Sequence, residues 1–599
     1  MFHHALMNRK LLALWGISTS SETPSDDDAA MGVDFNEDIP ANPIPLIFSG
    51  EDIENQTEDR GDILENFSVQ LFTVPALVPV MIEHGLLDNM IISLLEVTEL
   101  LCGGRTLDSD GGEPLLEDRM VVNPAKLNDM DAPLWRIMYD MRYVLTHAEL
   151  ARYLLEFRLD LFEKLLVVMS FLQGMGSVRR RSREHIEYEN EHWTTVFTLE
   201  LEFYHIVDLL SEAFAGSGAA GKLAPLAEDQ RHRVLDVARR VLLSWIEEES
   251  LRRSRAGSNY SESFTLHFPL HRLFGMLAHS MLQGGSVTVE ELVGGIHADP
   301  ESVVRDALLI ASDIARSQSF IAQIHAGMWN RNGREVSGQP LLYKSPYCVE
   351  WFVDLDIFLL QLAAIAAGPH EFEKLLCSHF ECDTLTDDTM KSVLQPIGDE
   401  KVSMMRSLVE TYLRLLISIV TERSRCGFSD VENFRRRLIH RLALSDQPHS
   451  HLVQFVPRGS GFEARSARNP VHGVVDRVIE EIAYYTTPRE MEQGKYSLRE
   501  ELWKEFDPFN AHYAHRERVL VEQQYPRHLS LMNIRTDYLP FTAIGSRRLF
   551  PAMSRLENLS LALCERSSFV GRVLHLLAGD MSSSWVSSAL RECTLLVPC

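Results

Sequence analysis

LARYLLEFRLDLFEKLLVVMS, residues 150–170, decides the fold class. Its apolar positions Leu150, Tyr153, Leu154, Phe157, Leu161, Leu165 and Val168 recur in steps of three and four. At 3.6 residues per turn they fall on a single stripe, whereas a half-buried strand would alternate with period two. Thr146 and Glu149 just before it have the Ser/Thr-x-x-Glu spacing of a capping box. The stretch therefore predicts one long amphipathic helix.

The same period extends outward in both directions. Upstream, Trp135, Met138, Tyr139 and Arg142 step along a helix, and an apolar pattern runs from Ile63 to Cys102, broken by Pro75 and Pro79. Downstream, Phe197 to Leu210 keep the helical step until GSGAAGK at Gly216–Lys222, and a further helix follows over Asp229–Glu249. Asp299 and Pro300 supply an N-cap and a first-turn proline for a helix running towards Trp329, with Asn332-Gly333 as its stop. Trp351–Ala367 and Ser403–Val420 are two more long apolar helices. Strand alternation is absent before residue 440 and no fixed-period repeat is visible. The expected fold is mainly α: an elongated multi-helix scaffold over residues 63–430, preceded by an acidic, disordered linker over 1–62.

The last quarter reads differently. A helix at Val431–Leu444, a turn at Ser445–Pro448, a short helix at His449–Val456, a longer helix at Val471–Tyr485 and a strand at Gly494–Leu498 follow in order. Three helices closed by a small hairpin predict a winged-helix domain over 431–506. Residues 507–599 then hold a charged helix and a short C-terminal helical region.

Composition bounds the chemistry. The chain has 599 residues, 45% hydrophobic and 24% charged, with a formal net charge of -27. That charge repels phosphate backbones, so nucleic acid is not an expected partner. The runs Arg179–Arg181 and Arg435–Arg437 are expected to pair with neighbouring acids on a solvated face. Apolar runs such as Leu359–Ala367 fall short of the roughly 20 residues that cross a bilayer, so no membrane partner is expected. Eight cysteines without paired spacing read as reduced thiols.

Candidate sites are few. Cys377, His379 and Cys382 form the nearest approach to a metal cluster. Zinc prefers four ligands in two close pairs, and no second pair follows, so unligated thiols at a helix end are the favoured reading. The connector QGMGSVRRRSREHIEYENEHW, Gln173–Trp193, lacks the HExxH spacing of a zinc hydrolase. Its Gly174 and Gly176 suit a sharp exit from the preceding helix, and Trp193 suits packing against the scaffold. No phosphate loop, nucleophile elbow or CxxC pair occurs, and no catalytic or cofactor-binding residue is assigned.

Four ordered stretches resemble one family, the UBR-box N-recognins, which are RING-type ubiquitin-protein ligases of the N-degron pathway. Gln173, Gly174 and Met175 with His185, Glu187 and Trp193 are similar to the family's QGM…HIE-x-E…W segment. Pro269, His271 and Arg272 in FPLHRL are similar to its HLPLHR turn. His325, Met328, Trp329, Arg331, Asn332 and Gly333, with Gln339 and Tyr343, are similar to QVHAxMWxRNG…Q…Y. The winged-helix stretch from Arg435 to Tyr513 completes the order.

The family's zinc-bearing UBR box, its module for bulky hydrophobic N-termini and its RING ligands do not occur in this sequence. The resemblance thus implies the central scaffold of such a ligase, inactive alone, positioning N-degron substrate relative to a RING and a ubiquitin-conjugating enzyme. Zinc is implied only in the modules outside it. The implied partners are the conjugating enzyme and substrates, reached through the full-length ligase, and other proteins. The implied location is the cytoplasm, with the nucleus as a second compartment. The alternative is a non-catalytic adaptor or regulator that has lost the zinc modules.

Overall fold

A computed structural model of the chain describes residues 72–103, 120–127, 133–179, 192–216, 224–255, 263–285, 287–329, 333–394, 399–456, 471–487, 493–507, 509–521, 549–563, 565 and 567–579. The acidic segment over 1–62, the connector residues His185 and Glu187, and Arg331 and Asn332 lie outside the described residues. The chain divides into two units, one comprising Met1–Gly176 with Thr194–Val241, the other Ser177–Trp193 with Leu242–Cys599.

In the first unit, α1 (Leu86–Leu101) and α2 (Pro133–Leu145) are followed by α3 (Ala148–Phe157) and α4 (Leu159–Leu172). The stretch expected as one helix is therefore two, and the correction falls on Arg158. Its φ of -128° and ψ of 54° leave the helical region. Its guanidinium is held by both oxygens of Asp160, at 3.0 and 2.9 Å, and by Asp88 of α1 at 2.5 Å. The break turns Phe157 out of the stripe to 68% exposure, while Leu150, Leu154, Leu161, Leu165 and Val168 stay buried. The capping box is also absent. His147 is the N-cap without a side-chain bond, and the Thr146 hydroxyl donates back to the Tyr143 carbonyl at 2.6 Å.

The next helices are α5 (Trp193–Ala215) and α6 (Glu228–Arg255), and the division between units falls inside α6. Within the first unit, Gln230 of α6 donates to the Leu155 carbonyl at 2.6 Å, and Arg240 grips both oxygens of Glu163 at 2.8 and 3.1 Å.

The second unit contains α7 (Pro269–Gln283), α8 (Pro300–His325), α9 (Gly333–Tyr343), α10 (Val353–Ala367), α11 (Pro369–His379) and α12 (Glu400–Thr421). As read from the sequence, α8 starts at Asp299, whose carboxylate accepts from the Ser302 N–H at 3.0 Å. It ends at His325 rather than Trp329, because Gly327 takes φ 78°, a left-handed conformation that favours glycine. Gly333 then opens α9 instead of stopping α8. Helix α10 is buried from Val353 to Ile365, as an apolar-all-round helix must be.

The winged helix consists of α13 (Asp430–Leu444), a short helical turn at His449–Leu452 and α14 (Val471–Ile482). A capping box on Ser429 and Glu432 starts α13. Helix α14 is shorter than expected, since Ala483–Thr486 leaves it as a strand, antiparallel to Lys495–Leu498. Gln447 bridges to Tyr496 on the outer edge of that hairpin. Phe434, Leu438, Leu442, Val478, Ile482 and Leu498 form the core, with Phe506, Tyr513 and Val521 packed into it. The other two strand pairs span two residues each, Cys102–Gly103 with Val121–Val122 and Val178–Arg179 with Ser263–Phe264.

Candidate functional site: a buried ionic junction

The site follows from two acids in an otherwise apolar helix. Asp354 and Asp356 stand in the first turn of α10 and are 1% and 0% exposed. A carboxylate taken out of water needs a partner, because its desolvation costs several kcal/mol. The two find partners in different directions, one inside the scaffold and one in the winged helix.

Asp356 takes the inward role. Arg272 of α7, fully buried, reaches it with two parallel bonds of 2.9 Å each and donates to the Leu266 carbonyl at 2.8 Å. The guanidinium lies 4.2 Å from the Phe352 ring centroid. Tyr343 at the end of α9 donates to Asp356 at 2.9 Å and accepts from Gln318 of α8 at 2.8 Å. Three helices thus meet on one carboxylate, and α8 braces it through Tyr343. Arg272 is placed by Pro269 in the first turn of α7, and the neighbouring His271 packs edge-on to Trp245, with its imidazole pushed down to about 4 by burial.

Asp354 faces the winged helix. Arg437 of α13 donates to it at 2.9 Å and also pairs with Glu350, while His512 lies 2.6 Å from its other oxygen. Burial would raise the Asp354 carboxyl, but His512 and Arg437 outweigh it and hold it below the usual range. Beside this pair, Arg436 binds Glu422 after α12 and lies 3.6 Å from Asp507. Arg435, nearer the surface, bonds to Glu505 at 3.1 Å and Glu481 at 3.2 Å. His440 closes the set. It donates to the Arg436 carbonyl at 2.7 Å and accepts the Asp507 N–H at 3.0 Å, and burial pushes it down to about 3, so it is neutral.

The Arg435–Arg437 run does pair with acids, but the expected solvated face is corrected. The Arg436 and Arg437 side chains are only 12% and 7% exposed. A run of arginines in a helix looks exposed in sequence, and here the scaffold supplies the acids that bury it.

The other singled-out residues have packing environments. Gly174 and Gly176 take φ 82° and 57°, and Gln173 and Met175 are fully buried. Trp193 lies against α9, where a Cβ on Gly338 would come within 2.8 Å of its ring. Trp329 packs on Phe264 and Phe320 and donates to Gln323 at 3.3 Å, and the Met328 N–H is bound by the Gln323 carbonyl at 3.0 Å. His325 stacks on His515 at 4.8 Å between centroids.

Cys377, His379 and Cys382 face different partners: Tyr412 Oη at 3.2 Å, Ser312 Oγ at 3.1 Å and the Phe380 carbonyl at 3.6 Å. Burial pushes the Cys377 thiol up to about 12. Among the described residues no three His, Cys, Asp or Glu side chains gather as metal ligands.

Comparison with known proteins gives the family. Residues 57–408 match the UBR1/2/3-like ARM repeat domain, and residues 433–537 match the E3 ubiquitin-protein ligase UBR1-like winged-helix domain. The helical repeat invisible in the sequence is thus present. Its helices differ widely in length, 10 residues in α3 against 28 in α6, which blurs any fixed period. The E3 ubiquitin-protein ligase UBR2 of Homo sapiens is 25% identical over 563 residues, 91% of this chain and 30% of that protein. The E3 ubiquitin-protein ligase UBR3 of Homo sapiens is 26% identical, over 76% of this chain and 23% of that protein. The E3 ubiquitin-protein ligase PRT6 of Arabidopsis thaliana is 30% identical, over 50% of this chain and 14% of that protein. The chain spans less than a third of the length of these relatives. It belongs to the UBR1/2/3-like family of E3 ubiquitin-protein ligases and carries that family's ARM-repeat and winged-helix domains.

Proposed function

We propose that this chain is the scaffold on which such a ligase holds an N-degron substrate in fixed relation to a RING and its ubiquitin-conjugating enzyme. A RING ligase acts through proximity and orientation, without a covalent intermediate of its own. The part that joins the modules must then resist bending. The observation that carries this reading is the pair Asp354 and Asp356. One helix terminus ties the Arg272 turn of the scaffold to Arg437 of the winged helix through ion pairs shielded from water and salt. A joint of that kind holds the winged helix against α7 and α10 within the second unit, where a linker alone would let it swing.

Ubiquitin transfer by a full-length ligase carrying Arg437→Ala tests it. Substrate binding should persist while transfer to the bound substrate slows. Unchanged transfer, with α13 demonstrably loosened in the same variant, would overturn the positioning role. The conjugating enzyme and the substrate are its partners through the whole ligase.

A further inference from the structure

The winged helix leaves one side of its hairpin uncovered. Tyr496 directs its backbone N–H and C=O at Gln447, at 2.8 and 3.1 Å. Its cross-strand neighbour Tyr485 is therefore a non-hydrogen-bonded partner, and the Tyr485 N–H and C=O point the other way, off the outer side of Ala483–Thr486. No further strand pairs with that side among the described residues. Sheet edges are ordinarily blunted by lysine, proline or a bulge, whereas this strand reads AYYT, with no charge and no proline. Tyr484 and Tyr485 are 50% and 55% exposed.

The surface beside Tyr485 is acidic. Asp476 and Glu480 lie one turn apart on the same face of α14, and His449 Nε2 is 2.9 Å from the Asp476 carboxylate. The His449 ring packs 6.2 Å from Tyr496, and Tyr496 packs 5.1 Å from Tyr485. One continuous face thus runs from the α14 acids to the open strand. Glu481 is paired with Arg435 and Asp476 with His449, whereas Glu480 has no ion-pair partner among the described residues. The cations of the hairpin belong to its other face, because side chains alternate along a strand. There Arg499 lies 4.5 Å from the Tyr484 ring centroid and donates to the Glu480 carbonyl at 2.8 Å, and Lys495 precedes Tyr496. Burial first, then Tyr485, Asp476 and Glu480, push the Tyr496 phenol up, in keeping with a negative field.

We propose that the outer side of Ala483–Thr486 takes up an extended segment of a partner protein, bearing lysine or arginine, as an added strand. Main-chain bonds to the Tyr485 N–H and C=O supply the pairing, and side chains supply the selectivity. The incoming residue opposite Tyr485 shares its face of the sheet, so a long cationic side chain there lies along the Tyr485 ring and reaches towards Glu480. A basic partner is what the charge of this face complements.

The test uses the full 599-residue chain and a blocked, fluorescently labelled hexapeptide in which lysine alternates with valine, so that its lysines share one face of a strand. Fluorescence anisotropy should report saturable binding to the wild type. Tyr485→Pro removes the outward N–H but keeps the ladder to Lys495–Leu498, since proline is tolerated where an edge N–H faces solvent, and it should weaken binding roughly tenfold or more. It leaves the net charge of -27 unchanged, so nonspecific attraction to an acidic chain survives it. Tyr485→Val keeps the edge open and Glu480→Gln keeps the shape, and each should cost about threefold. The same hexapeptide methylated on the backbone nitrogens of its lysines, which face Tyr485 when paired, should bind the wild type roughly tenfold more weakly. Unchanged hydrogen exchange in α13 establishes that each variant is folded.

The proposal is overturned by equal binding to wild type and folded Tyr485→Pro. Equal binding of the methylated hexapeptide, or of one with glutamate in place of lysine, overturns it as well, on the wild-type chain alone. So does the absence of saturable binding up to about 1 mM hexapeptide.

Discussion

Asp354→Asn removes one charge from the junction and almost nothing from its shape. The wild-type carboxylate is 1% exposed and serves both Arg437 and His512. Breaking a buried pair by removing one partner costs about 3–5 kcal/mol, since the remaining charge stays desolvated. Here Glu350 still faces Arg437, so the lower end, about 3 kcal/mol, is expected. A chain of this size does not unfold in one step, and a global melting curve would blur the effect. Native-state hydrogen exchange reads it locally. Amides of α13 should open roughly 100-fold more often, while those of α3 and α4 in the first unit keep their rates. An increase under about threefold in α13 would mean that the buried pair contributes little and that apolar packing alone holds the winged helix.

Further substitutions and a pH profile extend the test. Arg272→Lys keeps the charge but cannot reproduce the two parallel bonds to Asp356, and it should cost about 1.5–3 kcal/mol, measured as faster exchange across α7 and α10. Gly338→Ala gains up to about 1 kcal/mol of helix propensity but drives a Cβ to 2.8 Å from the Trp193 ring, so it should destabilise overall and red-shift tryptophan emission. Trp193→Ala, at a partly buried site, should cost about 2–3 kcal/mol, read as faster hydrogen exchange in α9, and no loss would place the ring in solvent. Burial holds His271, His279 and His440 neutral, pushed down to about 4, 3 and 3. Their folded pKa values lie below the unfolded ones, so their stability is complete above about pH 6.5 and is lost as pH falls. By pH 5 each should cost up to about 2 kcal/mol, and hydrogen-exchange protection of α7 and α13 that, corrected for intrinsic rates, is flat between pH 7 and 5 would contradict their burial.

What the sequence disclosed was local. The stripe from Leu150 to Val168, the Asp299 cap and the order of the winged-helix elements all rest on neighbours within a turn or two. What it hid depends on distant partners. The break at Arg158 needs Asp88, which comes from another helix. The strand at Ala483–Thr486 needs its pairing with Lys495–Leu498, without which the pattern simply continues α14. The junction joins residues 83 and 158 positions apart, so Arg437 and His512 could not be matched to Asp354 by spacing. One signal was available. VDLDIFLLQLAAIAA carries two acids in a run too apolar to be anything but buried, and buried acids require cations. The fingerprint residues Arg272 and Tyr343 were visible as a pattern, but their role, clasping Asp356, needed the fold.

The scaffold account is tested most directly by ubiquitin discharge. The purified 599-residue chain, mixed with activating enzyme and a ubiquitin-loaded conjugating enzyme, should leave the thioester to decay at its unassisted rate and should form no ubiquitin chains. Accelerated discharge with chain formation by this polypeptide alone would contradict the claim that it positions the reacting partners without performing the transfer.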